Sequence, residues 1–120
     1  MHRRSPKWLD DMLGAGANIV EWTAELGAED FARNRLVRDA VERNFVILGE
    51  ALARIERADP DTVARIPEYR KIIGLRNVLA HGYDTTDHEL IWTFARERMP
   101  GLMSVVRTLL TEAEAEFVDE

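Results

Sequence analysis

Val37-Arg38-Asp39-Ala40-Val41-Glu42-Arg43-Asn44-Phe45-Val46-Ile47-Leu48-Gly49-Glu50-Ala51-Leu52-Ala53-Arg54-Ile55 sets the fold class. Val37, Val41, Phe45, Leu48, Leu52 and Ile55 recur three and four residues apart, which lines them along one face of an α-helix. With its flanks, this predicts one long helix from about Glu29 to Arg57 with a buried stripe. Arg43, Asn44 and Glu50 border that stripe. Glu50 is spaced to pair with Arg54 on the next turn or Arg43 two turns back, a polar rim to the core or a support for an active arginine.

Toward the N-terminus, Ser5-Pro6 reads as a helix cap followed by proline at the first helical position. Leu9, Met12, Leu13, Ile19, Val20 and Leu26 give that helix an apolar side, and Gly27-Ala28 breaks it. Gly14 and Gly16 weaken it and leave room for a neighbouring helix or a kink. Toward the C-terminus, Asp59-Pro60 opens a short helical piece that ends at Ile66-Pro67. The next helix carries Ile72, Ile73, Leu75 and Leu79 toward His81. Gly82 reads as the left-handed residue that stops it, and Tyr83-Asp84-Thr85-Thr86 as a turn. Thr86-Asp87-His88-Glu89 fits a capping box, which leaves His88 in solvent; His2, near the start, is also expected to be exposed. Ile91, Trp92, Phe94 and Met99, then Leu102, Met103, Val105, Val106, Leu109 and Leu110, mark the last helices, kinked or divided at Pro100-Gly101. No strand-like alternation, repeat or low-complexity linker interrupts this series. The expectation is one all-α helical bundle of about four to five main helices over residues 1–111, with residues 112–120 as an acidic tail that frays.

A chain of 120 residues, 46% of them apolar, makes one domain with a real core. The absence of cysteine excludes disulfides and thiolate sites and suits a reducing cytoplasm. No apolar run approaches a membrane span, and the basic start, Met1 to Lys7, lacks the apolar segment of a secretion signal. A net charge of −6 argues at first against a nucleic-acid partner. Five of those charges, however, lie in the tail (Glu112, Glu114, Glu116, Asp119, Glu120), and setting them aside leaves −1. Arg65, Arg70, Lys71 and Arg76 face only Glu68 in the segment leading to His81.

That segment ends in Gly74-Leu75-Arg76-Asn77-Val78-Leu79-Ala80-His81-Gly82-Tyr83, where a cation, an amide, an imidazole and a phenol crowd together. Asn77 and His81, four apart, share a helix face. His81 falls in the last turn, where the helix dipole favours positive charge. Arg76 lies about 140° round the helix from His81, so the two meet only over a shared anion that the long arginine stem can reach. Arginine to clamp a phosphate and histidine to move a proton is a set suited to phosphate chemistry. The spacing equally allows both side chains simply to bond carbonyls at a helix end. No His, Cys and carboxylate cluster has metal-ligand spacing, and no cofactor is implied.

Arg76-Asn77-Val78-Leu79-Ala80-His81 fits the R-x4-6-H signature of HEPN domains. The longer run from Ile73 to Tyr83 resembles the HepT-like toxins, Arg43 to Ala51 is similar to that family's second recurrent block, and Trp92 matches its usual tryptophan. The resemblance spans about Trp8 to Leu110. It departs at Glu68-Tyr69, where the family often has tryptophan after the Ile-Pro step, and at the glycine-rich Gly14-Ala15-Gly16-Ala17.

This resemblance implies a HEPN-type bundle that dimerises, a metal-independent ribonuclease acting on RNA, and a minimal nucleotidyltransferase antitoxin as partner, alone or within a larger toxin–antitoxin hetero-oligomer. Arg76 and His81 are then the catalytic pair. Asn77 orients the imidazole or contacts substrate, and Tyr83 is the residue adenylylated by the antitoxin. With one motif histidine per chain, acid and base call for two copies of His81 in one cleft, along a motif-helix interface expected to bury much of Ile72, Ile73 and Leu79 or their neighbours. The alternative is a non-catalytic HEPN module that binds a nucleotide or a nucleotidyltransferase partner.

Overall fold

The computed structural model describes residues 1–81 and 87–118. Among them the chain forms seven helices: α1 (Ser5–Thr23), α2 (Ala28–Arg33), α3 (Arg35–Ala58), α4 (Pro60–Val63), α5 (Tyr69–Ala80), α6 (His88–Glu97) and α7 (Met99–Phe117). No strand occurs among these residues. The fold is the expected all-α bundle, and α2 and α4 are short connectors between five main helices.

Helix α3 is the centre. It packs along α1 on one side and α5 on another, α7 lies on α1, and α6 rests on α2, α1 and α7. Val41, Phe45, Leu48, Leu52 and Ile55 of the stripe are all buried, and Val37 is half-buried against the same core. Leu9, Met12 and Ile19 of α1, Ile72 of α5, Ile91 of α6 and Met103 and Val106 of α7 complete it. Asn44, 7% exposed, is buried with its needs met. Its amide donates to the Ala40 carbonyl at 2.8 Å, and its oxygen accepts from Asn18 on α1 at 3.1 Å. A buried amide satisfied in this way adds geometric selectivity to a contact that apolar packing alone would leave loose.

Local chemistry moves several expected boundaries. The single helix expected from Glu29 to Arg57 is two, because Asn34 leaves helical geometry (φ −97°, ψ 87°). Its side chain accepts from Val37 N at 3.1 Å, so Asn34 caps α3 instead of continuing α2. Ser5 does not cap α1; its hydroxyl donates to Asp59 Oδ2 at 2.8 Å. Asp59 also accepts from His2 N at 2.8 Å and from the Thr62 hydroxyl at 2.7 Å, and it caps α4 as expected. The expected capping box shifts by one residue: Asp87 is the cap of α6 and accepts from Leu90 N at 3.0 Å, while Thr86 lies outside the described residues. The chain divides at Arg98, with Pro100 in the first turn of α7.

The tail is not frayed from Glu112; α7 runs on to Phe117. Ala113 is fully buried, and Arg65 grips Glu112 through two bonds of 2.6 and 2.9 Å. Those contacts hold the last turns against the repulsion of their acidic residues. His2, expected in solvent, stacks on Trp8 with ring centroids 5.8 Å apart. Of the two weak points in α1, Gly16 is a site of close approach, since a Cβ there would collide with the Met103 side chain of α7, whereas Gly14 faces open space. The carbonyl end of α1 is closed by α6: Arg96 donates to Val20 O at 3.1 Å and the Trp92 indole to Leu26 O at 2.8 Å. No helix among the described residues is long and apolar enough to cross a membrane.

Candidate active site

Helix α5 carries the motif. It starts on strained backbone: Glu68, the residue before it, sits at φ 60°, ψ 20°, a left-handed conformation that costs a non-glycine residue about 1–2 kcal/mol. From there α5 runs against α3. The contact is close because Gly49, buried on α3, has no side chain where Arg76 passes. A Cβ at Gly49 would overlap Arg76 Cβ and come within 2.9 Å of its Cγ and 3.2 Å of the Ile72 carbonyl.

Arg76 is thus seated by its stem. Its Nε is shut off from solvent without a hydrogen-bond partner, while the residue as a whole is half-buried. Among the described residues no carboxylate pairs with it. An arginine with a fixed stem and unneutralised charge is suited to receive an anion.

His81 follows α5 directly with right-handed backbone (φ −88°, ψ −2°) and is exposed. Its Nδ1 lies 2.6 Å from the Asn77 carbonyl oxygen. A carbonyl only accepts, so Nδ1 carries the proton in this contact. Asn77, expected to orient the imidazole or contact substrate, touches the ring through its main-chain carbonyl, one helical turn back. This is the helix-end bond that the spacing also allowed. Tyr83, and the stop expected at Gly82, lie outside the described residues.

A groove of about 480 Å³ along α5 lies between α5 and α6 and is lined by Ile72, Leu75, Val78, Leu90, Ile91 and Phe94 with a few polar neighbours. None of Arg76, Asn77 and His81 lines it. Of the residues expected at a dimer interface, Ile72 is 1% exposed and is consumed within the chain's own core, while Ile73 and Leu79 are half-buried against that core. Val78, 39% exposed, is the large apolar residue α5 leaves at the surface. Nor does Glu50 pair with Arg43 or Arg54 among the described residues.

Two features escaped the sequence reading. Gly49 had a legible signal, a glycine inside a helical stripe, which marks close backbone approach. The other is a contact between α3 and α6 involving His88, which is half-buried and not in solvent. Arg38 Nη1 lies 2.6 Å from His88 Nε2, and His88 Nδ1 and Arg38 Nε are both buried without partners. Burial raises the neighbouring Glu42 carboxyl above its ordinary value, against the pull of His88.

Residues 12–109 match the family described as Ribonuclease HepT-like. The chain belongs to the HepT-like family. Among its HepT-like relatives, the protein named "Putative RNase MJ1380" of Methanocaldococcus jannaschii is 31% identical over 107 residues, covering 88% of this chain and 97% of that one. "Probable ribonuclease HepT" of Thermococcus cleftensis is 31% identical over 102 residues, covering 85% of this chain and 92% of its own. A further M. jannaschii protein, "Putative RNase MJ0125", is 25% identical over 107 residues, 89% and 91% of the two chains. No solved structure matches this HepT-like chain.

Proposed function

We propose that the chain is a metal-independent endoribonuclease, the toxin of a HEPN and nucleotidyltransferase pair, with Arg76 and His81 as its catalytic residues. The observation that carries this reading is Arg76, whose Nε is buried without a partner and whose charge no carboxylate among the described residues neutralises. It lies on α5, at whose end His81 holds its Nδ1 2.6 Å from the Asn77 carbonyl oxygen. Family membership and the names of the relatives support the same reading.

In the proposed reaction His81 Nε2 removes the proton from the ribose 2′-hydroxyl. The 2′-oxygen, already beside phosphorus, attacks it. Arg76 stabilises the charge that gathers on the phosphoryl oxygens. The bond from phosphorus to the 5′-oxygen breaks, and that oxygen takes a proton from a general acid. A second copy of His81 fills that role in a homodimer. One motif histidine per chain calls for two copies in one cleft to supply acid and base, and exposed Val78 keeps apolar surface on α5 for the second copy.

Control is proposed to act at Tyr83. A nucleotidyltransferase antitoxin would transfer adenylyl groups to its hydroxyl, two residues after His81. Each AMP brings a phosphodiester charge that competes with RNA for Arg76 and a base that obstructs the groove. Toxin and antitoxin would then meet in a hetero-oligomer around the dimer.

The product ends test the reaction. Purified protein incubated with RNA in chelator should leave 2′,3′-cyclic phosphate and 5′-hydroxyl termini. Intact RNA, or 3′-hydroxyl termini produced only after a divalent ion is added, contradicts the reading.

A further inference from the structure

We infer that Gly49, on a different helix from the motif, is a positioning residue that seats Arg76. The Arg76 stem lies in the space a side chain at position 49 would fill, and the opposing atoms are its Cβ and Cγ and the Ile72 carbonyl. These atoms are close to the backbone, so no rotation of a long flexible end relieves the overlap. Either α5 moves away from α3 or the arginine leaves its seat. The seat has a second mark: Arg76 Nε is closed off from solvent with no bond holding it. Packing therefore fixes the stem, and the outer guanidinium nitrogens stay available for a phosphate whose charge appears late in the reaction. An arginine held this way needs little reorganisation when that charge develops. This role deepens the nuclease reading and rests on it only for the effect on rate.

The test is Gly49→Ala, read in two independent ways. The first is proton exchange at Arg76 Nε–H, followed by nitrogen-edited NMR and assigned by its loss in Arg76→Lys. The Trp92 indole N–H of α6, bonded to Leu26 O in the connection between α1 and α2, is the control. The account expects Arg76 Nε–H to exchange at least tenfold faster in Gly49→Ala while the Trp92 signal stays within twofold, and RNA cleavage to fall at least tenfold. An unmoved Arg76 signal, or equal acceleration of both signals, overturns the inference whatever happens to rate. If wild-type protein cleaves no RNA, the nuclease reading fails and the exchange measurement still decides the seat. Should Gly49→Ala not fold, the exchange of small residues in Gly49→Ala/Arg76→Gly decides. It should unfold within a few degrees of Arg76→Gly alone, and a swap no more stable than Gly49→Ala overturns the inference.

Discussion

His81 Nδ1 is held 2.6 Å from the carbonyl oxygen of Asn77. That bond places the ring proton on Nδ1, because a carbonyl only accepts. It needs only two features: a histidine one turn after a residue whose carbonyl has run out of helical partners, and a helix that stops there. The bond to Asn77 uses Nδ1 alone, so a capping role for His81 is compatible with the proposed catalytic one.

The Arg38–His88 contact makes a sharp prediction. Guanidinium only donates, so His88 Nε2, 2.6 Å from Arg38 Nη1, must accept, and the neutral ring must be the Nδ1–H tautomer. Nitrogen NMR of the histidine side chains at neutral pH should show this tautomer for His88 and lose it in Arg38→Ala. An Nε2–H tautomer in the wild-type protein would contradict the contact.

Asp59 predicts a pH dependence of stability. Burial pushes its carboxyl up, but the hydrogen bonds from Thr62, His2 and Ser5 together outweigh burial and hold it below its ordinary value. A carboxyl lowered by folding stabilises fully above its unfolded value, near 4. That contribution is lost as pH falls through the lower folded value. Asp59→Asn should cost about 1–3 kcal/mol at pH 7 and little near pH 2. Urea unfolding at both pH values checks it, and equal losses at the two would contradict the linkage.

Ile72 separates core from interface. Because it is 1% exposed within one chain, Ile72→Ala should lower the stability of the protomer by about 2–5 kcal/mol. Denaturation read together with light scattering tests this. A variant as stable as wild type that merely dissociates would return Ile72 to an interface.

Tyr83→Phe lacks the hydroxyl that would accept AMP. It should keep nuclease activity yet escape silencing by the nucleotidyltransferase. Mass spectrometry after incubation with that enzyme and ATP should find adenylyl groups on wild-type Tyr83 and none at Phe in the variant. Modification of another residue, or full silencing of the variant, would contradict the assignment.

Much of this was legible in the residues themselves. Apolar spacing gave α3 its buried face because burial repeats with the helical period, and Asp59-Pro60 announced α4 because cap and proline act locally. Asn34 was missed since its apolar neighbours keep helical period across the break, and only the side-chain bond to Val37 N reveals it. His88 read as solvent-facing because its partner, Arg38, is fifty residues away. The motif named Arg76 and placed His81 at the helix end, but spacing along one helix could not show that α3 packs its Gly49 against the Arg76 stem.

The rate of RNA cleavage in chelator by wild-type protein and by His81→Ala, compared at equal folded concentration, tests the central claim most directly. His81 is exposed at the end of α5, so the variant should remain folded and, on the proposed mechanism, cleave about two to four orders of magnitude more slowly. Cleavage by a folded His81→Ala protein at the wild-type rate would contradict the account.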